Sequence, residues 1–324
     1  MQKFTSLAHP NIAFIKYWGN RDQALRLPAN GSISMSLAAL ETRTTVEVST
    51  ALITDEFTLD GVPQSGSTLQ RVALFLDLVR GMSGRKEFAR MASENNFPQS
   101  AGVASSASGF AALALAASLA YGLELTEREL SILARRGSGS ASRSIPSGFV
   151  EWHAGSTNED SFAETIAPPA HWPLWDCVAL VEDQPKITGS TEGHLLADTS
   201  PLQAARVQDA PHRLEFCRKA ILERDFAALA DIIELDSNMM HAVMLTSRPP
   251  LMYWSTLSLA VMRLVIDWRK AGLGAAYTLD AGPNVHVICT EDSHDQARAK
   301  LAEIPGVIQV LASPVGGGAR VLSA

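Results

Sequence analysis

The sequence predicts a mixed α+β protein that folds into two lobes. Alternating apolar and polar residues over 33–59 are typical of strands and hairpins, whereas helical spacing of apolar residues recurs through the rest of the chain. The 324 residues, 46% of them hydrophobic, are enough for a large core in two parts. We expect the lobes to comprise residues 1–183 and 184–324, because a polar, proline-rich surface connection is predicted at 155–173, shortly before a buried strand.

The N-terminal half begins with strands and continues with helices. Alternating apolar and polar residues predict strands at 33–40, 44–48 and 56–59. The turn signal Asp60-Gly61 follows the last of them. Apolar spacing predicts one helix at 69–79 and another that ends near Tyr121. A Thr–Glu capping pattern at Thr126 predicts the start of a third helix, at 126–135.

The C-terminal half is predicted to alternate between helices and strands in the same way. A buried strand is expected at 176–181, followed by helices at 204–222, 226–240 and 253–271. Strands at 276–279 and 285–289 come next, and the chain closes with a glycine turn at 316–318 and a short strand. No internal repeat or low-complexity tract interrupts this order.

Composition excludes several classes of protein. With 27 basic and 34 acidic residues the net charge is −7, and no basic block is present, so we expect no nucleic-acid partner. The N-terminus lacks an apolar signal core and the most apolar stretch is short, which predicts a cytoplasmic location and no membrane partner. The three widely spaced cysteines argue against a disulfide framework or a zinc site, and no metal ligands are assigned.

The segment FPQSAGVASSASGF, residues 97–110, is suited to binding phosphate. Its small residues open directly into an apolar helix, whose first turn offers free N–H groups and a partial positive charge. Backbone at Gly102 and Ala104 and the hydroxyls of Ser105, Ser106 and Ser108 are the candidate ligands. Close packing or helix capping would explain the same small residues equally well.

Two further segments combine polar groups with turns. Residues 8–22 carry Lys16, a flexible positive charge that can hold an anionic substrate, although a solvated strand end would look similar. Residues 135–144 carry Arg143, which can bind a carboxylate through two parallel hydrogen bonds, beside the donors Ser138 and Ser140. The alternative for this second segment is a flexible serine-glycine linker.

The last candidate segment is YTLDAGPNV, residues 277–285, in which Asp280 sits at the end of an apolar strand. A carboxylate fixed on a rigid element and directed into a cleft can act as a general base. An aspartate that merely forms the following turn remains the alternative.

Together these segments resemble the mevalonate diphosphate decarboxylases, a family within the small-molecule kinase superfamily that contains galactokinase, homoserine kinase and mevalonate kinase. The family pattern Asn-Ile-Ala-x-x-Lys-Tyr-Trp-Gly stands at residues 11–19, and residues 189–193 look like its Ser-Ser-Thr-x-Gly stretch. The resemblance implies the two-lobed fold of these kinases (the GHMP kinase fold), with the active site in a cleft between the lobes. It also implies ATP and Mg²⁺ as cofactors and a homodimer.

The resemblance further implies a reaction and roles for the residues. In this family the 3-hydroxyl of a phosphorylated mevalonate is phosphorylated by ATP and then eliminated together with the neighbouring carboxylate. The implied catalytic residues are Asp280 as the base, Lys16 and Arg143, while the loop at 97–110 cradles the ATP phosphates. The implied substrate-binding residues are Asn11, Tyr17, Asn20, Ser138, Ser140, Arg143 and Ser190.

One departure from the family pattern bears on the substrate. Asn20 stands where the family has a lysine that reaches the diphosphate tail, and His194 and Leu195 follow Gly193 in place of the usual methionine and polar residue. A neutral amide cannot balance the charge of a second phosphoryl group. We therefore expect decarboxylation of 5-phosphomevalonate to isopentenyl phosphate. The alternatives are a 5-diphosphomevalonate decarboxylase that forms isopentenyl diphosphate, a mevalonate-type kinase, and an inactive binding protein.

Overall fold

The computed structural model describes residues 2–98, 105–182 and 189–323 of the chain. Within these residues it contains helices α1 (Gly66–Ser83), α2 (Ser105–Ala120), α3 (Glu127–Gly137), α4 (Ser190–Leu196), α5 (Gln203–Glu223), α6 (Phe226–Thr246), α7 (Thr256–Lys270) and α8 (His294–Ala302). Its strands are β1 (Gln2–Ala8), β2 (Asn11–Ile15), β3 (Asn20–Asp22), β4 (Leu27–Pro28), β5 (Ser32–Ser36), β6 (Thr42–Ser49), β7 (Glu56–Leu59), β8 (Val62–Pro63), β9 (Phe88–Asn95), β10 (Phe149–Trp152), β11 (Ala163–Ala167), β12 (Leu174–Leu180), β13 (Ala275–Thr278), β14 (Val285–Thr290), β15 (Gln309–Pro314) and β16 (Arg320–Ser323).

The strands form three sheets and a small hairpin. A six-stranded sheet has the order β16-β1-β6-β9-β7-β8, and a four-stranded sheet has the order β11-β10-β5-β2. The second four-stranded sheet has the order β13-β14-β12-β15, while β3 and β4 pair with each other. The mixed α+β class predicted from the sequence is confirmed.

Helix α6 connects the N-terminal and C-terminal sheets and thereby positions the candidate site, whereas α2 and α5 pack on strands of the N-terminal half. Helix α2, whose alanine-rich surface is buried on nearly every side, packs on β1 and β6. Helix α6 contacts β2 on one side and β13 on another, and α5 packs against α6 and β2. One hydrophobic cluster runs through both parts, from Ile12 of β2 to Ile233 of α6 and Ile288 of β14. The ends of β2 and β13 are consequently held at a fixed separation.

Most helices lie where their apolar spacing predicts them. The capping box at Thr126 is present, with Glu129 as its partner, and α3 begins immediately after it. The prediction of a surface connection over 155–173 is wrong in part, because β11 lies within it and pairs with β10. Its alternation is weak, since alanines occupy its two buried positions. No helix among residues 2–98, 105–182 and 189–323 has the length and apolarity needed to cross a membrane.

The expected boundary between residues 183 and 184 lies outside the described residues. Strand β12 precedes it but pairs with β14 and β15, and β16 lies far beyond it but pairs with β1. Strand pairing therefore crosses the division in both directions. The division into 1–183 and 184–324 stays a proposal, which limited proteolysis with mapping of the cut sites would test.

Candidate active site

A partly buried ion pair between Lys16 and Asp280 lies where the N-terminal and C-terminal sheets meet. Lys16 directly follows β2, Asp280 lies shortly after β13, and Lys16 Nζ is 2.7 Å from Asp280 Oδ1. The Lys16 side chain is 1% exposed, whereas 29% of the Asp280 side chain remains accessible. The fold thus brings together two predicted catalytic residues from opposite ends of the sequence and leaves the carboxylate open to a bound molecule.

The surroundings of this pair keep Asp280 ionised. Burial alone would raise the pKa of Asp280, but the charges of Lys16, His286 and Arg143 outweigh it and hold the pKa below its ordinary value. Burial is also the largest influence on Lys16, and it lowers the pKa of the ammonium group even though Asp280 opposes this. At neutral pH Asp280 is therefore a carboxylate, the state in which it can accept a proton.

Arg143 is buried beside Asp280 with its charge available. It lies in a 3₁₀ helix, Gly139–Ser144, and donates from Nη1 to Ser32 Oγ at 2.5 Å and from Nε to Asn11 Oδ1 at 3.2 Å. Asn11 is fixed in turn by donating to Ser144 Oγ at 2.8 Å. No carboxylate of the described residues lies within ion-pair distance of Arg143. Burial lowers its pKa to about 10, so the guanidinium stays charged at neutral pH and can bind a substrate carboxylate.

The predicted serine ligands have different surroundings. The Ser138 hydroxyl lies 3.1 Å from that of Ser106, so the serine-rich segment and the phosphate loop meet at this point. Ser140 is half-buried, and its carbonyl accepts from Asn11 Nδ2 at 3.2 Å. Ser190 is the exposed first residue of α4.

Tyr17 and Asn20 bond to each other. The Tyr17 hydroxyl donates to Asn20 Oδ1 in a short hydrogen bond, and Asn20 Nδ2 donates to Gln23 Oε1 at 2.8 Å. Both ends of the Asn20 amide are therefore engaged within the protein. The Tyr17 ring packs so closely on Gly139 that a Cβ atom there would lie 2.5 Å from Tyr17 Cε1. Glycine at 139 is thus required by this approach and not only by loop flexibility.

His194 holds the Tyr17 segment from the other side, and sequence reasoning did not single it out as a site residue. Its ring stacks on Tyr17 with the centroids 4.2 Å apart, and its Nδ1 accepts from the Gly19 N–H at 2.9 Å. Burial, together with the charges of Arg26 and Arg206, lowers the pKa of His194 to about 3. The ring is therefore neutral at physiological pH, as its acceptor role requires.

A cavity of about 430 Å³ lies next to the phosphate loop. Ser105 and Ser106 line it, but Ser108 does not, since its hydroxyl is buried against Thr42 Oγ1 at 2.6 Å. Gly102 and Ala104 lie outside the described residues. The cavity also has an apolar wall, formed by Phe57, Leu59, Val72, Phe110 and Leu113. An apolar wall beside a hydroxyl-rich loop matches a nucleotide, which has a flat base at one end and phosphates at the other.

Three arginines line a second cavity of about 510 Å³, which adjoins the first through Arg26 and Arg71. Arg26 Nε and Arg71 Nη2 donate to the carbonyls of Arg136 and Gly137, at 3.1 and 2.8 Å respectively. Arg71 Nε is buried without a partner, and no carboxylate of the described residues pairs with Arg26, Arg71 or Arg136. Burial and the charge of Arg26 lower the pKa of Arg71 to about 10. Positive charge gathered without a counter-charge is the electrostatic signature of an anion site.

Comparison with known proteins decides the family. The family model for the "Diphosphomevalonate decarboxylase-like N-terminal domain" matches residues 8–163. The family model for the "Mevalonate 5-diphosphate decarboxylase C-terminal domain" matches residues 177–311. The diphosphomevalonate decarboxylase of Aspergillus fumigatus is 41% identical over 93% of this chain and 80% of its own length. The chain belongs to the diphosphomevalonate decarboxylase family.

Other members support this assignment at the level of sequence and structure. The human diphosphomevalonate decarboxylase is 38% identical over 89% of this chain and 77% of its own length. The mevalonate diphosphate decarboxylase structure from Staphylococcus aureus has a TM-score of 0.94 and 36% identity, over 99% of this chain and 98% of that one. A complex of MDDEF with MVAPP, AMPPCP and magnesium has a TM-score of 0.94 and 38% identity, over 100% and 99% of the two chains.

These matches confirm the prediction, from four motifs, of a decarboxylase family with the two-lobed GHMP kinase fold. They favour the diphosphate alternative over the expectation of a 5-phosphomevalonate enzyme, because the matched relatives named above carry the diphosphate in their names. The roles of individual residues remain proposals.

Proposed function

We propose that this chain catalyses the ATP-dependent decarboxylation of 5-diphosphomevalonate to isopentenyl diphosphate, with release of CO₂, ADP and phosphate. The observation that carries the proposal is the convergence of Asp280, Lys16 and Arg143, which combines an ionised base with a buried guanidinium that no carboxylate of the described residues neutralises. The relatives named above support the choice of substrate.

Asp280 accepts the proton of the substrate's 3-hydroxyl. Lys16 keeps the carboxylate ionised and fixes one of its oxygens, so the accessible part of the side chain can face the hydroxyl. Removal of the proton makes the hydroxyl oxygen a nucleophile toward phosphorus. Lys16 also supplies a positive charge beside the group that loses the proton.

Arg143 holds the substrate carboxylate for the elimination. Asn11 and Ser32 fix the guanidinium plane, so its remaining N–H groups can bind both carboxylate oxygens. When the C–O bond to the new phosphate breaks, the C–C bond to the carboxylate supplies the electron pair of the alkene and CO₂ departs. A kinase would end before this step, and a charged Arg143 close enough to act on Asp280 but without a carboxylate partner among the described residues favours the decarboxylase.

The residues fit ATP with Mg²⁺. Ser105 and Ser106 offer hydroxyls at the start of α2, and the apolar wall of the first cavity suits adenine. No group of three His, Cys, Asp or Glu side chains among the described residues could hold a metal ion. A nucleotide-bound Mg²⁺ needs few protein ligands, since phosphate oxygens and water fill most of its coordination sphere. When bound, the nucleotide supplies the phosphoryl group that converts the 3-hydroxyl into a leaving group, and the metal neutralises charge.

We propose that Arg26, which lines both cavities and whose charge also acts on Tyr17, helps to hold a diphosphate tail. Arg26 follows the β3 strand that carries Asn20, and together with Arg71 it provides cations that no carboxylate of the described residues neutralises. A tail with two phosphoryl groups needs more than one such partner. Asn20 favours the second candidate, 5-phosphomevalonate, because its neutral amide is engaged by Tyr17 and Gln23.

The test is to compare purified protein on both substrates with ATP and Mg²⁺ while CO₂ and ADP are measured together. We expect CO₂ and ADP in equal amounts and a higher kcat/KM for the diphosphate. A higher kcat/KM for the monophosphate would favour the second candidate, and ADP without CO₂ would favour a kinase. Loss of turnover in Asp280→Asn is also expected, and unchanged turnover would refute its role as the base. A wild-type chain that turns over no ATP would indicate an inactive binding protein. A homodimer is proposed as well, and light scattering coupled to gel filtration tests it.

A further inference from the structure

The backbone of Lys16 is held by side chains of α5 and α6 and by Asn30, which lies just before β5. Strand β2 ends at Ile15, and its pairing with β5 shifts register just before that residue. The Lys16 N–H donates to Asp236 Oδ2 at 2.6 Å, and its carbonyl accepts from Arg206 Nη2 at 2.8 Å and Asn30 Nδ2 at 3.0 Å. Side chains therefore replace the strand partner at the residue whose ammonium group reaches Asp280.

Ser237 of α6, the residue after Asp236, holds the backbone next to Asp280. Ser237 Oγ accepts from the N–H of Leu279, the neighbour of Asp280, at 3.0 Å. Asp236 and Ser237 are consecutive residues of α6, and both are fully buried. One turn of a single helix thus bonds to the backbone on both sides of the Lys16–Asp280 contact.

Asp236 is oriented by two buried arginines of α5. Arg213 Nε donates to Asp236 Oδ1 at 2.8 Å, and Arg206 Nη2 lies 4.0 Å from Asp236 Oδ2. Asp236 and Arg213 are 0% exposed and Arg206 is 1% exposed. A buried carboxylate with an arginine beside each oxygen and a backbone N–H on Oδ2 has little freedom to move.

We propose that Asp236 and Ser237 are positioning residues that set the separation of Lys16 and Asp280, with Arg206 and Arg213 fixing Asp236. The inference rests on the proposed function, since it acts through Asp280 as the base. The rate of proton transfer depends steeply on the placement of the base. Hydrogen bonds from α6 that fix this placement therefore affect the chemical step as well as stability.

A purely structural role is the competing explanation, and the chain contains a matched control for it. Asp55 is 4% exposed, pairs with Arg80 Nη2 at 2.9 Å and accepts from the Ala89 N–H at 2.9 Å. It therefore makes the same kinds of bond as Asp236, but it links α1 to β9 and contacts neither Lys16 nor Asp280. Asp55→Asn removes an equivalent buried charge away from the candidate site.

The experiment compares Asp236→Asn, Ser237→Ala and Asp55→Asn with the wild-type chain. Thermal unfolding, kcat and KM for the phosphorylated mevalonate and for ATP, and the pH dependence of kcat/KM are measured for each. In Asp236→Asn we expect kcat to fall about 100-fold with KM little changed, and a smaller fall in Ser237→Ala. Asp55→Asn should lower thermal stability and leave kcat near wild type.

The pH profile separates positioning from general destabilisation. Asp280 is faced by Lys16, Arg143, His286 and His241. If Lys16 moves away, the acid limb of the profile should move to higher pH in both α6 variants and stay in place in Asp55→Asn. Unchanged kcat and an unchanged acid limb in folded α6 variants would overturn the proposal. If Asp236→Asn does not fold, Ser237→Ala decides. A wild-type chain that releases no CO₂ would instead refute the proposed function.

Discussion

Replacing Lys16 with methionine tests the electrostatic basis of the proposed base. Methionine fills a similar volume without the charge, so the perturbation is confined to the contact with Asp280 at 2.7 Å. At this separation the attraction between two unit charges is about 6 kcal/mol for an effective dielectric constant of about 20. Desolvation of the two groups offsets most of this attraction, because Lys16 is 1% exposed and Asp280 29% exposed.

The expected result is an upward movement of the acid limb of kcat/KM by about 1 to 3 pH units. The sign follows from the charge states. Activity needs ionised Asp280, and it is lost as pH falls through the pKa of this carboxyl group. Lys16 lowers that pKa, whereas burial raises it, so removal of Lys16 leaves burial to raise the pKa and activity is lost at a higher pH.

The assay is CO₂ release from saturating to limiting substrate across the pH range over which the wild type remains folded. Lys270→Met is the control, because Lys270 also pairs with an aspartate, Asp267 at 3.4 Å, but lies 73% exposed on the surface. Its acid limb should match the wild type. An acid limb in Lys16→Met that also coincides with the wild type would refute the assignment of Asp280 as the titrating base.

Three further predictions concern the groups around the substrate tail. Arg26→Ala should raise KM for 5-diphosphomevalonate by about 10-fold or more, since it removes a charged donor. The control Arg90→Ala, which breaks a surface pair with Glu56, should leave KM unchanged. Equal KM values for the two variants in steady-state assays would contradict this prediction. Gly139→Ala would place a Cβ 2.5 Å from the Tyr17 ring. Chemical denaturation should show that the unfolding free energy falls by about 1 to 3 kcal/mol, and KM for 5-diphosphomevalonate should increase. An unchanged unfolding free energy would show that the ring can move. His194 has its pKa lowered to about 3 by burial, Arg26 and Arg206, so the unfolded chain binds the extra proton and the unfolding free energy should fall by about 1.4 kcal/mol per pH unit below about pH 6. His194→Phe should remove that part of the slope in denaturation curves, and an undiminished slope would argue against a buried neutral ring.

The helices of the core were accessible to sequence reasoning because their signals are local. Thr126 and Glu129 form the predicted capping box, and α5 begins and ends within one residue of the predicted range 204–222. Strand β11 is not predicted from the sequence because its own alternation is weak. Its extended conformation depends on pairing with the neighbouring strand β10. A strand whose partner determines it leaves little trace in its own residues.

The candidate site shows the same contrast between local and distant information. Arg143 lies in a serine-rich segment and Asp280 lies between an apolar strand and a turn, so the sequence alone makes both of them candidates. Asp236 and Ser237 lie inside an apolar helix that continues to Thr246, and nothing in that helical pattern distinguishes them from ordinary buried polar residues. Only the packing of α6 against both β2 and β13 gives them a role, because it places Lys16 and Leu279 within hydrogen-bond distance of consecutive side chains.

The preference for a substrate with one or two phosphates likewise depends on the folded molecule. Sequence comparison with a motif counts a cation as lost at Asn20, and this loss led to the expectation of a monophosphate. In the fold, Arg26 follows on the same hairpin, and Arg71 reaches the same cavity from α1. Charge at a phosphate subsite is a sum over all elements that face it. A single motif position therefore cannot decide the length of the tail, whereas the kcat/KM ratio for the two substrates in wild type and Arg26→Ala can.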